Sequence, residues 1–195
     1  MTRQEFDALA FRYRGAILAL PAGVLAFAGR PSAFSIACGL PLAFVGEFIR
    51  CWAVGYSGTT TRGDTVTAPM LVTAGPYGYA RNPLYTGNVI TAFGFAVAFS
   101  GRNSAPVRTL LLAGAMGSIV GLYALIVPHE ERYLRERFGA AFDAYAAAVP
   151  PVLPRFRAEA GDGEYDPAVV GASESRTFIT FGVMLVALAL RARAA

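Results

Sequence analysis

The sequence predicts an all-α integral membrane protein with about five transmembrane helices and a cytoplasmic amphipathic helix. Three observations carry that expectation. Of 195 residues, 55% are apolar, and the mean hydropathy is +0.46, more than a soluble domain usually shows. The excess is gathered in four or five apolar stretches of about 14 to 22 residues, near the length that crosses ~30 Å of hydrocarbon. All 17 basic residues are arginine, and their spacing marks one side of a membrane. Little chain remains for a separate soluble domain, so residues 1–195 are expected to form a single membrane domain.

The first stretch, residues 15–28, is flanked by Arg12, Arg14 and Arg30, whose stems can snorkel to the interfaces. Ala26-Phe27-Ala28 resembles a signal-peptide cleavage site, but a second apolar run begins at Ala33 after a very short connection, which favours a helical hairpin. That second run extends to Tyr56. A polar segment over 57–68 follows, and then 69–85, rich in Gly, Pro and Tyr, which no regular period describes. The third span is placed at 84–100 and the fourth at 107–127, where Gly114, Gly117, Ser118 and Gly121 offer a small-residue edge for close helix packing.

After Pro128 the pattern turns amphipathic up to Val149, and Pro150 and Pro151 end it. The acidic stretch 159–166 reads as a solvated loop, and a last apolar run covers 178–190. At 13 residues this run is short for a span, but Arg176 and Arg191 can snorkel, so a span is expected over an interfacial helix. With the N-terminus inside, 12 arginines fall on the cytoplasmic segments and 5 on the opposite side. The formal charge of +4 follows this topology, and no arginine cluster interleaved with aromatics argues for nucleic acid. Cys38 and Cys51 lack metal-ligand spacing and read as small buried hydrophobes. His129 is the sole histidine, which argues against a zinc site built by the protein.

Two polar constellations remain, both at the cytoplasmic ends of spans. In the first, Gly75-Pro76-Tyr77 leads to Arg81-Asn82-Pro83-Leu84-Tyr85-Thr86-Gly87. Pro83 suits the first position of a helix and Asn82 its N-cap, so Arg81 lies beside a helix N-terminus. An arginine fork there is a receptor for a carboxylate; the simpler alternative is a capped helix entry with Arg81 on lipid phosphate.

The second constellation is Pro128-His129-Glu130-Glu131-Arg132-Tyr133-Leu134, continuing to Phe138-Gly139, Phe142 and Tyr145. Two acids in a first helical turn complement the macrodipole, and Glu131 can pair with Arg135 at i+4. In projection, Leu134, Phe138, Ala141, Phe142, Tyr145 and Val149 form one stripe, with Glu131 within about 30° of its centre and Glu130 about 75° away. A carboxylate on a buried face is costly unless a cation or donor meets it. Glu47 and Arg50, one turn apart near the end of the second span, read as a snorkelling i,i+3 ion pair or as a polar contact at a substrate mouth.

These strings resemble the isoprenylcysteine carboxyl methyltransferase and phospholipid methyltransferase superfamily, which pairs an Arg-His-Pro-x-Tyr string with a downstream Glu-Glu. The resemblance rests on Arg81-Asn82-Pro83-Leu84-Tyr85 and Glu130-Glu131, with Gly75-Pro76-Tyr77 before and Phe138-Gly139, Tyr145 and Val149-Pro150 after, and covers about 71–154. It implies a multi-pass protein of the cell (inner) membrane with its active site facing the cytoplasm. It further implies S-adenosylmethionine as cofactor and a lipophilic acceptor such as an isoprenylcysteine carboxylate or a phospholipid amine. On that basis Arg81, Glu131, Glu47 and Arg50 are the expected catalytic residues. Gly75, Pro76, Tyr77, Arg81, Asn82, Pro83, Tyr85, Gly87, Glu130 and Glu131 are expected to bind the cofactor, Arg81 through its carboxylate and Glu131 through its ammonium. Asn82 stands where the family usually has histidine, and asparagine cannot titrate near neutral pH. A sterol-type reductase using NADPH is the competing enzyme class, against which two glutamates speak, since a dinucleotide phosphate wants cations. A non-catalytic scaffold would explain the spans but leave Arg81 and Glu131 without partners.

Overall fold

The computed structural model describes residues 3–58 and 67–194, with side chains from Glu5 onward. Most of the polar segment expected at 57–68 lies outside the described residues. The described chain is all-helical: α1 Arg3–Arg12, α2 Arg14–Ala28, α3 Ala33–Ser57, α4 Pro83–Phe99, α5 Ala105–Phe138, α6 Ala140–Ala148, α7 Pro167–Ser173 and α8 Ser175–Ala194, with a 3-10 turn at Gly75–Gly78. α3, α5 and α8 are long and apolar enough to cross a membrane, and α1 with α2 makes a fourth if that broken pair is one span. α4 is apolar but has 17 residues, about 25 Å of helix, slightly short of the hydrocarbon thickness.

Hydropathy locates α2, α3 and α4 to within about one residue, because their ends coincide with Arg, Pro and Gly punctuation. It misplaces the end of the fourth helix. α5 runs through Pro128 for 34 residues. The proline removes one donor, to the carbonyl of Ala124, while Leu122, Tyr123, Ile126 and Val127 beside it are buried, and that packing carries the helix onward. The amphipathic segment therefore breaks at Gly139, which has φ +53°, rather than at Pro128. α8 has 20 residues where the apolar run alone has 13, because Ser175, Arg176 and Thr177 before it and Arg191 and Arg193 after it are also helical. α1 and α7 carry no strong hydropathy signal; α7 is started by Asp166, whose carboxylate accepts from the Ala168 N–H at 2.8 Å, and by Pro167.

The chain divides into two compact units. The unit formed by Tyr13–Glu47, Asn88–Leu122 and Ser175–Ala195 is built on an apolar cluster of Leu25, Phe95, Phe99, Leu111, Phe181, Met184 and Leu188. A close helix contact lies between α3 and α4: a Cβ at Gly39 would sit 2.4 Å from the Gly94 carbonyl oxygen, and one at Gly94 would sit 2.3 Å from the Ala43 nitrogen. Gly114, Gly117 and Gly121, the small-residue edge expected to receive a helix, have open space instead. Ser118 on that edge turns back to the Gly114 carbonyl at 2.7 Å. Cys38 is exposed rather than buried, and Cys51 is half-buried.

The other unit comprises Met1–Arg12, Phe48–Gly87 and Tyr123–Glu174, and it buries charged side chains beside apolar ones such as Val54, Ile126 and Phe142. Arg50 and Glu174, 3% and 1% exposed, form a buried ion pair. Arg132 lies 3.6 Å from the buried Asp7. All the motif residues from Gly75 to Gly87, and both glutamates of the second constellation, belong to this unit.

Candidate functional site

The segment without a regular period is held by a second irregular segment running antiparallel to it. Thr73 and Ala74 donate to the Asp162 carbonyl at 2.9 and 3.1 Å, and Glu159 donates to Gly78 at 3.1 Å. Arg155 donates to Tyr79 at 3.0 Å, Arg81 to Pro150 at 2.8 Å and Asn82 to Pro151 at 3.0 Å. Pro150, Pro151 and Pro154 have no N–H, so a regular ladder cannot form, and each proline carbonyl that faces the motif serves only as an acceptor. Glycine is required twice here. Gly75 has φ +60° and the Tyr56 ring 2.4 Å from where a Cβ would lie, and a Cβ at Gly78 would meet the Glu159 carbonyl at 2.6 Å.

At the end of this segment Asn82 and Pro83 open α4 as expected, with the Asn82 carbonyl accepting from Tyr85 and Thr86 at 3.1 Å each. The Asn82 carboxamide turns away from the helix and donates to Glu131 Oε1 at 3.3 Å and to the Pro151 carbonyl at 3.0 Å. Arg81 meets Glu131 as a fork, Nε to Oε1 at 2.9 Å and Nη2 to Oε2 at 3.1 Å. Its Nη1 donates to the Ala146 and Val149 carbonyls at 2.9 and 2.5 Å, tying down the C-terminus of α6, where unpaired carbonyls favour a cation. Four of its five N–H groups are thus engaged. Arg81 and Glu131, expected to wait for opposite ends of a ligand, are each other's partner across 50 positions. This pairing removes the objection that a scaffold would leave them unpartnered.

Glu130 is drawn into the same cluster. The Tyr85 hydroxyl donates to Glu130 Oε1 at 2.6 Å, and the Tyr85 ring stacks on Tyr123 with centroids 4.3 Å apart. Projection places Glu130 towards water, yet it is half-buried like Glu131, because a tyrosine entering from α4 covers it. Arg135, the expected i+4 partner of Glu131, pairs with Asp143 at 2.8 Å instead; the break at Gly139 brings α6 back within its reach.

Two phenols complete the cluster. Tyr145 donates to the Tyr77 carbonyl at 2.8 Å. Burial pushes the Tyr77 hydroxyl up to about 12, against the opposing effect of a hydrogen bond with Ser57 and with a smaller contribution from the Glu130 charge. Burial raises Tyr145 further still. Both remain neutral donors at physiological pH.

Of the other expected site residues, Pro76, Pro83 and Gly87 are buried within this unit. Arg50 is in the same unit with Glu174 as its partner, an acid at the α7–α8 junction that sequence reasoning missed because a lone glutamate before an apolar run has no spacing signature. Glu47 is buried in the other unit. His129 has its ring 6.3 Å from Phe11, and its Nδ1 is buried without a hydrogen-bond partner among the described residues. Among those residues no group of three or more His, Cys, Asp or Glu could hold a metal ion.

Glu130 and Glu131 bring two half-buried carboxylates into one neighbourhood with the Arg81 guanidinium and the neutral phenols of Tyr77 and Tyr145. Carboxylates so placed are suited to the cationic groups of a ligand.

The family model described as phospholipid methyltransferase matches residues 34–141, just over half the chain. The chain is 32% identical over 120 residues to a probable protein-S-isoprenylcysteine O-methyltransferase of Oryza sativa subsp. indica, and equally to one of subsp. japonica. The match covers 60% of this chain and 59% of each rice protein, so the chain spans somewhat under two thirds of these relatives. No solved structure matches it.

Proposed function

Because this chain belongs to the phospholipid methyltransferase family, we propose that it is a membrane methyltransferase that takes its methyl group from S-adenosylmethionine and delivers it to a lipophilic acceptor of the isoprenylcysteine-carboxylate or phospholipid-amine kind. The observation that carries the reading is the pair of half-buried carboxylates, Glu131 held by Arg81 and Asn82 and Glu130 by the Tyr85 hydroxyl. S-adenosylmethionine has an ammonium and a sulfonium for such carboxylates to meet, and a carboxylate for the guanidinium.

When bound, the cofactor supplies an activated methyl group on sulfur, and the chain has only to bind, orient and exclude water. In this reading Glu131, held by Arg81 and Asn82, receives the ammonium, and the remaining Nη2 hydrogen of Arg81 is left for the carboxylate. Arg81 is therefore both a ligand and a positioning residue. Glu130, fixed by Tyr85, adds negative potential towards the sulfonium, and the ring faces of Tyr77, Tyr85 and Tyr145 offer it cation–π contact. Asn82 is a pH-independent donor where the family usually has histidine. The glycines at 75 and 78 let Tyr56 and the 150–162 segment pack against the motif and so hold it in place behind the site.

The wider reading takes 1–195 as one domain with a cofactor-binding part at about 71–154. It gives the chain five spans, with α2 and α4 among them, in the cell (inner) membrane. It puts the polar unit on the cytoplasmic face, with the helix from Pro128 onward outside the bilayer, as 12 arginines against 5 favour. A cysteine introduced at Gly163 and labelled from outside intact cells would overturn that orientation. The activity itself is tested by transfer of radiolabelled methyl from S-adenosylmethionine to farnesylcysteine analogues and to phosphatidylethanolamine in proteoliposomes. Label in either lipid supports the reading. Binding of NADPH but not S-adenosylhomocysteine would favour the reductase class, and binding of neither a scaffold.

A further inference from the structure

The segment 152–159 spends its main-chain bonds on the motif and presents its apolar side chains outward. The Val152 carbonyl accepts from the Thr86 hydroxyl at 2.9 Å, Arg155 N–H donates to the Tyr79 carbonyl, and Glu159 N–H donates to Gly78. On its outer side Leu153 is 80% exposed and Phe156 105%. Arginines flank the phenylalanine. Arg155 folds back on the Ala148 carbonyl and Glu159, while Arg157 is exposed and has no hydrogen bond or ion pair among the described residues. Single exposed apolar residues are common on protein surfaces, but a fully exposed Phe between two arginines, on a segment fixed from behind, is an ordered projection.

We propose that 152–159 is a membrane-interface strap whose Leu153 and Phe156 enter the boundary between headgroups and acyl chains, with Arg157 on anionic headgroups. Three observations select the bilayer as occupant. Residues 78–86, to which the strap is bonded, lead directly into the apolar helix α4, so a membrane surface lies within a few residues. Two separate protruding side chains on an irregular segment make no groove for a peptide. Aromatic and aliphatic tips with adjacent arginines are the composition that an anionic interface takes up. Since the two residues just before it, Pro150 and Pro151, give their carbonyls to the Arg81 and Asn82 N–H groups, seating the strap in lipid fixes the depth of the candidate site at the interface, where a lipophilic acceptor arrives. The inference rests on the membrane residence of the chain and not on methyl transfer.

The test uses the full chain in proteoliposomes and compares Phe156→Trp with the wild type, whose only tryptophan is Trp52. The added emission should lose most of its intensity to lipids brominated along the acyl chain and little to aqueous iodide, and Leu153→Trp should behave the same way. Quenching of the added emission by iodide and not by brominated lipid in both variants would overturn the proposal. Phosphatidylglycerol-containing vesicles should quench more than pure phosphatidylcholine vesicles, and adding Arg157→Gln should abolish that difference; equal quenching in both vesicle types with Arg157 present contradicts the anionic part. Neither readout needs cofactor or acceptor, so failure here is distinguishable from failure of the proposed activity.

Discussion

The two units differ in what is added to their apolar packing. One relies on ring and aliphatic packing around Phe95, Phe99 and Phe181 and on bare backbone contact at Gly39 and Gly94; the other adds to a core of Val54, Ile126 and Phe142 an ion pair at Arg50, a forked pair at Arg81 and main-chain bonds between two irregular segments. Apolar packing of this kind is tolerant of exchange as long as volume is kept, whereas each polar contact depends on both partners. The comparison predicts where single substitutions will do most damage and of what kind.

The largest effect should come from the polar unit. Arg50→Leu removes the buried guanidinium that meets Glu174, at a cost of about 3–5 kcal/mol, and Arg50→Leu with Glu174→Met should recover part of it. Denaturation in detergent measures both; a double variant no more stable than the single would show that the pair is not the principal partner on each side.

In the apolar unit the sensitive positions are those where no side chain fits. Gly94→Ala forces a Cβ against the Ala43 backbone and should cost about 1–3 kcal/mol. Gly114→Ala, with open space, should be neutral or stabilising by up to about 1 kcal/mol. Equal losses at the two glycines would mean that the edge at Gly114, Gly117 and Gly121 is the packed one after all.

A smaller effect concerns pH. Tyr77 is raised to about 12 by burial, so between its ordinary value of about 10 and 12 the unfolded chain releases a proton that the folded chain keeps, and stability falls as pH rises through that window. Tyr77→Phe should flatten the decline by on the order of 1–2 kcal/mol. A slope unchanged in the variant would mean that the Tyr77 phenol is solvated.

The same contrast explains what could be read beforehand. Hydropathy and punctuation found α2, α3 and α4, because burial of apolar surface and Arg, Pro and Gly positions leave a local record. The continuation of α5 through Pro128 left none, since packing on either side overrode the missing donor, and the kink at Gly139 depended on a single φ. Arg81, Glu130 and Glu131 were identified by motif, but not that Arg81 and Glu131 pair, since a contact across 50 residues has no spacing rule. Projection separated Glu130 from Glu131 on one helix and could not know that Tyr85 would arrive over Glu130. Glu174 was invisible for the same reason.

The central claim is that the Glu130 and Glu131 carboxylates select a cofactor with cationic groups, and calorimetry on purified protein tests it most directly. S-adenosylmethionine, with its sulfonium, and the neutral-sulfur S-adenosylhomocysteine should be titrated into the wild type, Glu130→Gln and Glu131→Gln. Each variant should lose more affinity for S-adenosylmethionine than for S-adenosylhomocysteine. Glu131→Gln should lose roughly tenfold or more for both through the ammonium, in the range of a charge-assisted hydrogen bond. Folded variants that bind both ligands as the wild type does, or a wild type that binds neither, would contradict the account.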